Sequence, residues 1–244
     1  MAIDLAPLLA PLEGASACGE DMLFSNDFDE IQHARRFDDP SLDQGEWVTE
    51  IKEANWGFVI ERCTELLGKR TKDLRVAAWL TEALAIKQGM PGLTQGYALL
   101  SGLCARYWDE VHPLADGEDT EYRLGNVTWL VGRTAQLLRE MPLTQASRGS
   151  LTAIDWEVAS NVAQAVKRDP DHADEIARGK PSFEHIDAAK RATPVPFYRT
   201  LLADLKAFEA AMHALEKELD ERAKEAAPSF RQVKDAYAFV YELA

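Results

Sequence analysis

Lys72-Asp73-Leu74-Arg75-Val76-Ala77-Ala78-Trp79-Leu80 opens a stretch that stays nearly free of charge as far as Gln88. Gly89-Met90-Pro91-Gly92 interrupts it, and a second such stretch, 92–108, runs out into Tyr107-Trp108-Asp109-Glu110-Val111-His112-Pro113. A helix over 74–88 is apolar on almost every side from Val76 to Ile86, so other helices have to enclose it. Thr71 or Asp73 is placed to cap its free N–H groups. The Gly-Pro-Gly turn reverses the chain, and a helix over about 93–108, with Arg106 as its only charge before Asp109, completes a buried hairpin. These segments set the fold class: all-α, a multi-helix domain around a central buried helical hairpin.

The flanking sequence supplies partners for that hairpin. Residues 1–10 carry Ile3, Leu5, Leu8 and Leu9 and predict a short apolar helix or turn that packs on the body. Helical spacing predicts helices over 26–37, with Phe28, Ile31 and Ala34 or Arg35 on one side, and over 56–67, with Val59, Ile60, Cys63, Leu66 and Leu67 together and Gly68 as the stop. A helix over 122–141 presents Leu124, Val127, Leu130, Val131, Leu137 and Leu138 and can cover the hairpin. Residues 142–154 lack a period and divide an expected core, 1–141, from a helical extension, 142–244, with short helices at 155–167, 170–178 and 182–191. After Pro194 and Pro196, Tyr198, Leu201, Leu205, Phe208, Met212, Leu215 and Leu219 recur at alternating spacings of three and four. Two readings fit this seam within a long helix at about 196–226: self-association with a second copy, or a helix lying across its own domain. Phe197 and Leu202 widen the stripe as the second reading requires. The last amphipathic stretch, from Phe230 to Tyr241, reaches Ala244 without a closing Gly or Pro, which suggests that the natural chain continues.

The net charge of -14 over 244 residues argues against a nucleic-acid binder, which needs Lys and Arg to displace counterions from phosphates. The charge is concentrated. Residues 20–50 hold ten Asp or Glu against two Arg, 109–121 hold six acids and no base, and the rest is balanced. Such patches either steer a docking partner or keep loops solvated. The exposed candidates for partner binding are Asp38, Asp39, Asp43, Glu46 and Trp47 in the first patch and Asp116, Glu118, Asp119 and Glu121 in the second. No apolar run is long enough to span a bilayer, and the N-terminus lacks a basic export start, so the expected location is the cytoplasm.

Chemistry finds little support. Phosphate-cradling loops, nucleophile elbows and His-Glu-x-x-His are all missing from the sequence. Cys18, Cys63 and Cys104 are far apart, which favours neither a disulfide framework nor a thiolate metal site. Cys63 and Cys104 read as packed small hydrophobes; Cys18 alone falls in a turn expected to be exposed, but its neighbours Glu20 and Asp21 oppose a thiolate. His112 beside Asp109 and Glu110 is either a general base or a helix-closing residue with an ordinary partner. The expectation is no enzyme, no cofactor and no metal.

Cys18-Gly19-Glu20-Asp21 followed by Phe24 resembles the opening Pro-Cys-Gly-x-Asp-Leu pattern of the ImpA-related, or TssA-type, N-terminal domain of type VI secretion components, with Ala17 and Met22 replacing Pro and Leu. Asn55-Trp56 stands where Asp-Trp is commoner. Asp73-Leu74-Arg75 with Trp79, the stretch from Gly92 to Leu100, Tyr107-Trp108-Asp109 with His112-Pro113, and Arg123 with Trp129 follow in the family's order, so that the likeness spans about 14–132. Most of these positions have structural explanations: Trp79, Trp108 and Trp129 as core, and Asp73, Arg75, Asp109 and Arg123 as buried or half-buried ion pairs. The resemblance implies a non-enzymatic assembly or adaptor component that contacts baseplate, tube or sheath proteins of a contractile machine. It also implies homo-oligomerisation through a C-terminal region absent here, with neither nucleic acid nor membrane insertion involved.

Overall fold

The structure is a computed structural model and describes residues 2–37, 52–115, 121–146 and 149–244. Among them no strand forms; helices α1 (Ala6–Leu9), α2 (Asn26–Arg35), α3 (Trp56–Lys69), α4 (Leu74–Gln88), α5 (Met90–Tyr107), α6 (Glu121–Glu140), α7 (Ala153–Arg168), α8 (Ala173–Ala177), α9 (Phe183–Ala192), α10 (Val195–Ala223) and α11 (Arg231–Leu243) follow one another. The fold is all-α, as expected. Two compact units divide it, one from Met1–Leu130 with Ala210–Ser229, the other from Val131–Glu209 with Phe230–Ala244.

In the first unit α4 lies between α3 and α5. Every residue from Leu74 to Ala85 is buried, because α4 is apolar around its circumference and only enclosure removes all of that surface from water. Burying one Leu-sized side chain contributes about 1.5–3 kcal/mol, so this helix anchors the unit. Its polar residues are matched: Thr81 Oγ1 donates to the Ala77 carbonyl oxygen at 2.7 Å, and Glu82 accepts from Arg35 at 2.8 Å. Gly96 on α5 permits the close approach of the two helices, since a Cβ there would lie 2.3 Å from Thr81 Cγ2. Helix α5 starts at Met90, earlier than expected, because Pro91 in a first turn has no N–H that the helix would need. Helix α3 runs through Gly68 rather than stopping there. It ends at Arg70, whose backbone N–H closes on Leu66 and whose side chain is drawn to Glu20 and Asp27. The short α1 packs on α3 and α5, and its last carbonyl oxygen, on Leu9, accepts from Arg106 and Tyr107 at 2.9 Å each.

In the second unit α7 packs with α8, α9 and α11. Thr152 and Asp155 form a reciprocal capping box at the start of α7, and Trp156 meets Phe183 and Phe239 edge to face. The heptad-spaced residues of α10 from Leu201 onward are covered by their own chain, Leu201, Leu205 and Phe208 in this unit and Met212, Leu215 and Leu219 in the first, while Tyr198 is half-buried. This corrects the self-association reading, because a seam buried from Leu201 to Leu219 leaves a second copy little apolar surface to cover.

Candidate functional site

Three segments distant in sequence are tied side by side where the family motifs fall. The backbone of Cys18 and Glu20 bonds to Lys72 and Arg70, at 2.7 and 3.1 Å, and the backbone of Lys72 and Leu74 bonds to His112, at 2.9 and 2.8 Å. Gly19, at φ +69, allows this: a Cβ there would stand 2.1 Å from the Arg70 carbonyl oxygen. Cys18 is therefore fully buried rather than exposed, a correction that follows from the bridge to Thr71, which local sequence does not reveal. Burial first, then Glu110, pushes its thiol up to about 11, which removes a nucleophilic role at neutral pH.

Asp73 holds the centre. Its fully buried carboxylate caps α4 by accepting from Arg75 N–H at 2.7 Å and pairs with the Arg75 guanidinium at 2.5 Å. Arg75 reaches on to Asp21 at 2.8 Å and to the Tyr122 hydroxyl at 3.5 Å, with Phe28 stacked against it. Burial pulls the guanidinium down, but the hydrogen bonds and charges of Asp73 and Asp21 outweigh it and leave it raised. Burial likewise pushes the Asp21 carboxyl up, and Arg75 more than offsets that, holding it below its ordinary value. The expected ion pair between Asp73 and Arg75 is thus present, with Leu74 buried beside it. Arg123 is different. It donates to the backbone carbonyls of Pro113 at 2.9 Å and Trp108 at 2.5 Å, not to Asp109, which is exposed. The guanidinium satisfies the carbonyl of Trp108 at the C-terminal cap of α5 and that of Pro113 beyond it, and so fastens α6 to the end of α5.

The aromatic expectations divide. Trp79 is buried against Phe28, with ring centroids 5.0 Å apart, but Trp108 is half-buried on Arg123, as is Tyr107 nearby, and Trp129 is 38% exposed. Both corrected rings stack on guanidiniums, Trp129 at 4.8 Å from Arg35, an arrangement that needs only one face covered.

His112 is buried beside Pro113, with Nε2 3.3 Å from the Gly19 carbonyl oxygen and Nδ1 without a hydrogen-bond partner. Neither Asp109 nor Glu110 reaches it, so the pairing that a general base would need is not assembled. Among the described residues no group of three or more His, Cys, Asp or Glu is placed to hold a metal, and no helix is long and apolar enough to cross a membrane. Asp38, Asp39, Asp43, Glu46, Trp47, Asp116, Glu118 and Asp119 lie outside the described residues; Glu121 opens α6 on its exposed side.

Sequence reasoning missed Lys72. Its side chain is fully buried, donating to the carbonyls of Leu67 at 2.6 Å and Leu8 at 2.8 Å, so it joins α1 to the end of α3. Burial pushes this ammonium down to about 8 from 10.5. Above pH 8 the unfolded chain therefore binds more protons than the folded one, and stability rises with pH; the raised Cys18 thiol opposes this only above its ordinary value of 9.0. Denaturant titrations should show a gain of about 1 kcal/mol from pH 8 to pH 9, absent in Lys72→Met.

In this helical body the sequence motifs are spent on fastening segments together. Residues 9–132 match the family described as ImpA, N-terminal, type VI secretion system, and the chain belongs to that family. It is 32% identical over 148 residues to the type VI secretion system component TssA1 of Pseudomonas aeruginosa, which covers 59% of this chain and 42% of that protein. The chain thus spans less than half the length of this curated relative. Its fold also matches a solved structure, the N-terminal domain, including the conserved ImpA_N region, of the TssA component of the type VI secretion system from Burkholderia cenocepacia. That match has a TM-score of 0.91 and 57% identity, over 100% of this chain and 92% of that one.

Proposed function

We propose that this chain is a non-enzymatic docking domain of a TssA-type component, acting in the cytoplasm and binding baseplate, tube or sheath proteins during assembly of the secretion machine. The observation that carries the reading is the use of the motif residues. Cys18 to Asp21, Lys72 to Arg75, His112 and Arg123 bond to one another and to backbone, forming a frame; in sequence the acidic segment 109–121 runs through His112 and 38–50 follows α2. Complementary charge on a fixed frame speeds and orients encounter with a basic or mixed surface. Asp38, Asp39, Asp43, Glu46 and Trp47 form one half of the proposed contact, and Asp116, Glu118, Asp119 and Glu121 the other.

The test is capture from lysate of a bacterium with an active type VI system, using the immobilised 244-residue chain beside a variant in which Asp116, Glu118, Asp119 and Glu121 are Lys. Identification by mass spectrometry of a baseplate, tube or sheath protein, lost with the variant, is the expected result. Capture of no secretion component by the unaltered chain would contradict it.

A further inference from the structure

We propose that Phe24 is the apolar anchor of a docking surface for a basic segment of a partner protein, one in which Lys or Arg flanks an aliphatic side chain. This rests on reading the chain as a docking domain, and it adds the place and the chemistry of the contact. Phe24 is 96% exposed, well above Phe37 at 61% and Tyr122 at 57%, the next most exposed rings among the described residues. It stands at the third position of a turn closed by the Ser25 N–H and the Met22 carbonyl oxygen at 2.8 Å. Turns favour Gly, Asn, Asp or Ser there, so neither turn formation nor core packing accounts for an aromatic ring.

The turn is held at both ends. Asp21 is paired with Arg75 and accepts from Leu23 N–H, Met22 is buried, and Ser25 caps α2 through Asp27 N–H. The ring is thus presented on backbone already fixed, and little ordering remains to be done when a partner covers it. Other exposed apolar groups belong to the same frame. Tyr122, 57% exposed, accepts from the Arg75 that holds Asp21, and Leu114, 54% exposed, follows the Pro113 whose carbonyl oxygen accepts from Arg123.

Charge selects the occupant. The first 34 residues contain seven carboxylates and no Lys or Arg, and Glu20 and Asp21 precede the turn while Asp29 and Glu30 follow it, all four reaching solvent. The cations of the frame are spoken for: Arg75 and Arg123 are buried, and Arg70 is tied to Glu20 and Asp27. A solvent-facing ring in a stretch of sequence that holds more carboxylates than cations, with Glu20 and Asp21 already paired to Arg70 and Arg75 and Asp29 and Glu30 exposed, favours a partner carrying positive charge beside an apolar side chain and disfavours an acidic one.

The probes are two dye-labelled synthetic peptides of equal charge, one of Lys and Leu in an amphipathic helical pattern and one of Lys and Ser, titrated with the 244-residue chain. The Lys/Leu peptide is expected to bind about tenfold more tightly, and Phe24→Ala to erase that difference while Phe24→Tyr retains it. The thermal midpoint of Phe24→Ala should match that of the parent chain, since the ring contributes no buried contact. Equal binding of the two peptides by the parent chain, or a preference that survives Phe24→Ala, overturns the assignment. Light scattering that shows a dimer dissolved by Phe24→Ala overturns it too, by giving the ring to a second copy. These failures would leave capture of a secretion component intact, whereas failure of that capture with the peptide preference present would remove the assignment to baseplate, tube or sheath partners and leave the basic-segment chemistry of the Phe24 surface.

Discussion

Replacing Asp73 with alanine is expected to destabilise the chain by about 3–5 kcal/mol, because it leaves the Arg75 guanidinium buried with half its compensation gone. Arg75 would retain Asp21, but that carboxylate is half exposed and cannot replace an acceptor inside the core. The α4 cap is lost in the same step, since Asp73 also accepts from Arg75 N–H. The double variant Asp73→Ala, Arg75→Met should be less damaged than Asp73→Ala alone, because no uncompensated charge remains. Urea titration of the parent, of Asp73→Ala and Arg75→Met singly, and of the double variant checks this. A double variant that loses the sum of the single losses would show that the two residues act independently and that the ion pair is not what joins the segments.

The second large effect is expected at Trp79. Its ring is 3% exposed, packed edge to face with Phe28 and covered by Arg35 at 5.5 Å. Trp79→Ala should cost about 3–5 kcal/mol through lost burial and the cavity left behind. Trp129→Ala should cost only about 1 kcal/mol, since that ring has one face in solvent and gives up chiefly its stacking on Arg35. Thermal melts of the two variants, read beside the parent, separate a core ring from a surface ring of the same residue type. Similar losses at both positions would contradict the division.

That contrast also shows what sequence can and cannot carry. The α4–α5 hairpin was legible because a helix apolar on every side has only one physical destination, and its ends were marked by Asp73 and Gly89. The seam in α10 was legible as a seam, but spacing alone is silent on whether its partner belongs to the same chain. Cys18 was misplaced because its burial depends on a bridge to Thr71 more than fifty residues away, a pairing with no local signal. Trp108 and Trp129 were taken as core because residue type suggests burial, whereas the guanidiniums that stack on them come from α6 and α2. Lys72 was hidden for the opposite reason: a lysine beside an aspartate at a helix start resembles ordinary capping sequence, and only the carbonyls of Leu8 and Leu67 converging on it reveal a buried clasp.

The candidate site follows the same pattern. Its frame could be anticipated as a set of motifs, since the residues stand in the family's order, but their roles come from partners far away in the chain. Arg123, expected in a buried or half-buried ion pair, instead fastens backbone carbonyls, and His112, expected beside carboxylates, is enclosed by the Gly19 and Lys72 segments. An arrangement that consumes its polar groups internally is suited to holding a surface in place and leaves no assembled acid–base pair at His112.

The most direct measurement is isothermal calorimetry of the purified 244-residue chain with purified baseplate, tube and sheath proteins, each at about 50 mM and about 500 mM salt, where exposed charges become strongly screened. The account predicts saturable binding to one of them that weakens as salt rises and falls at least about tenfold when Asp116, Glu118, Asp119 and Glu121 are changed to Lys. Binding to none of them, or binding indifferent to both salt and charge reversal, would contradict the proposal that this helical frame docks through its acidic surface.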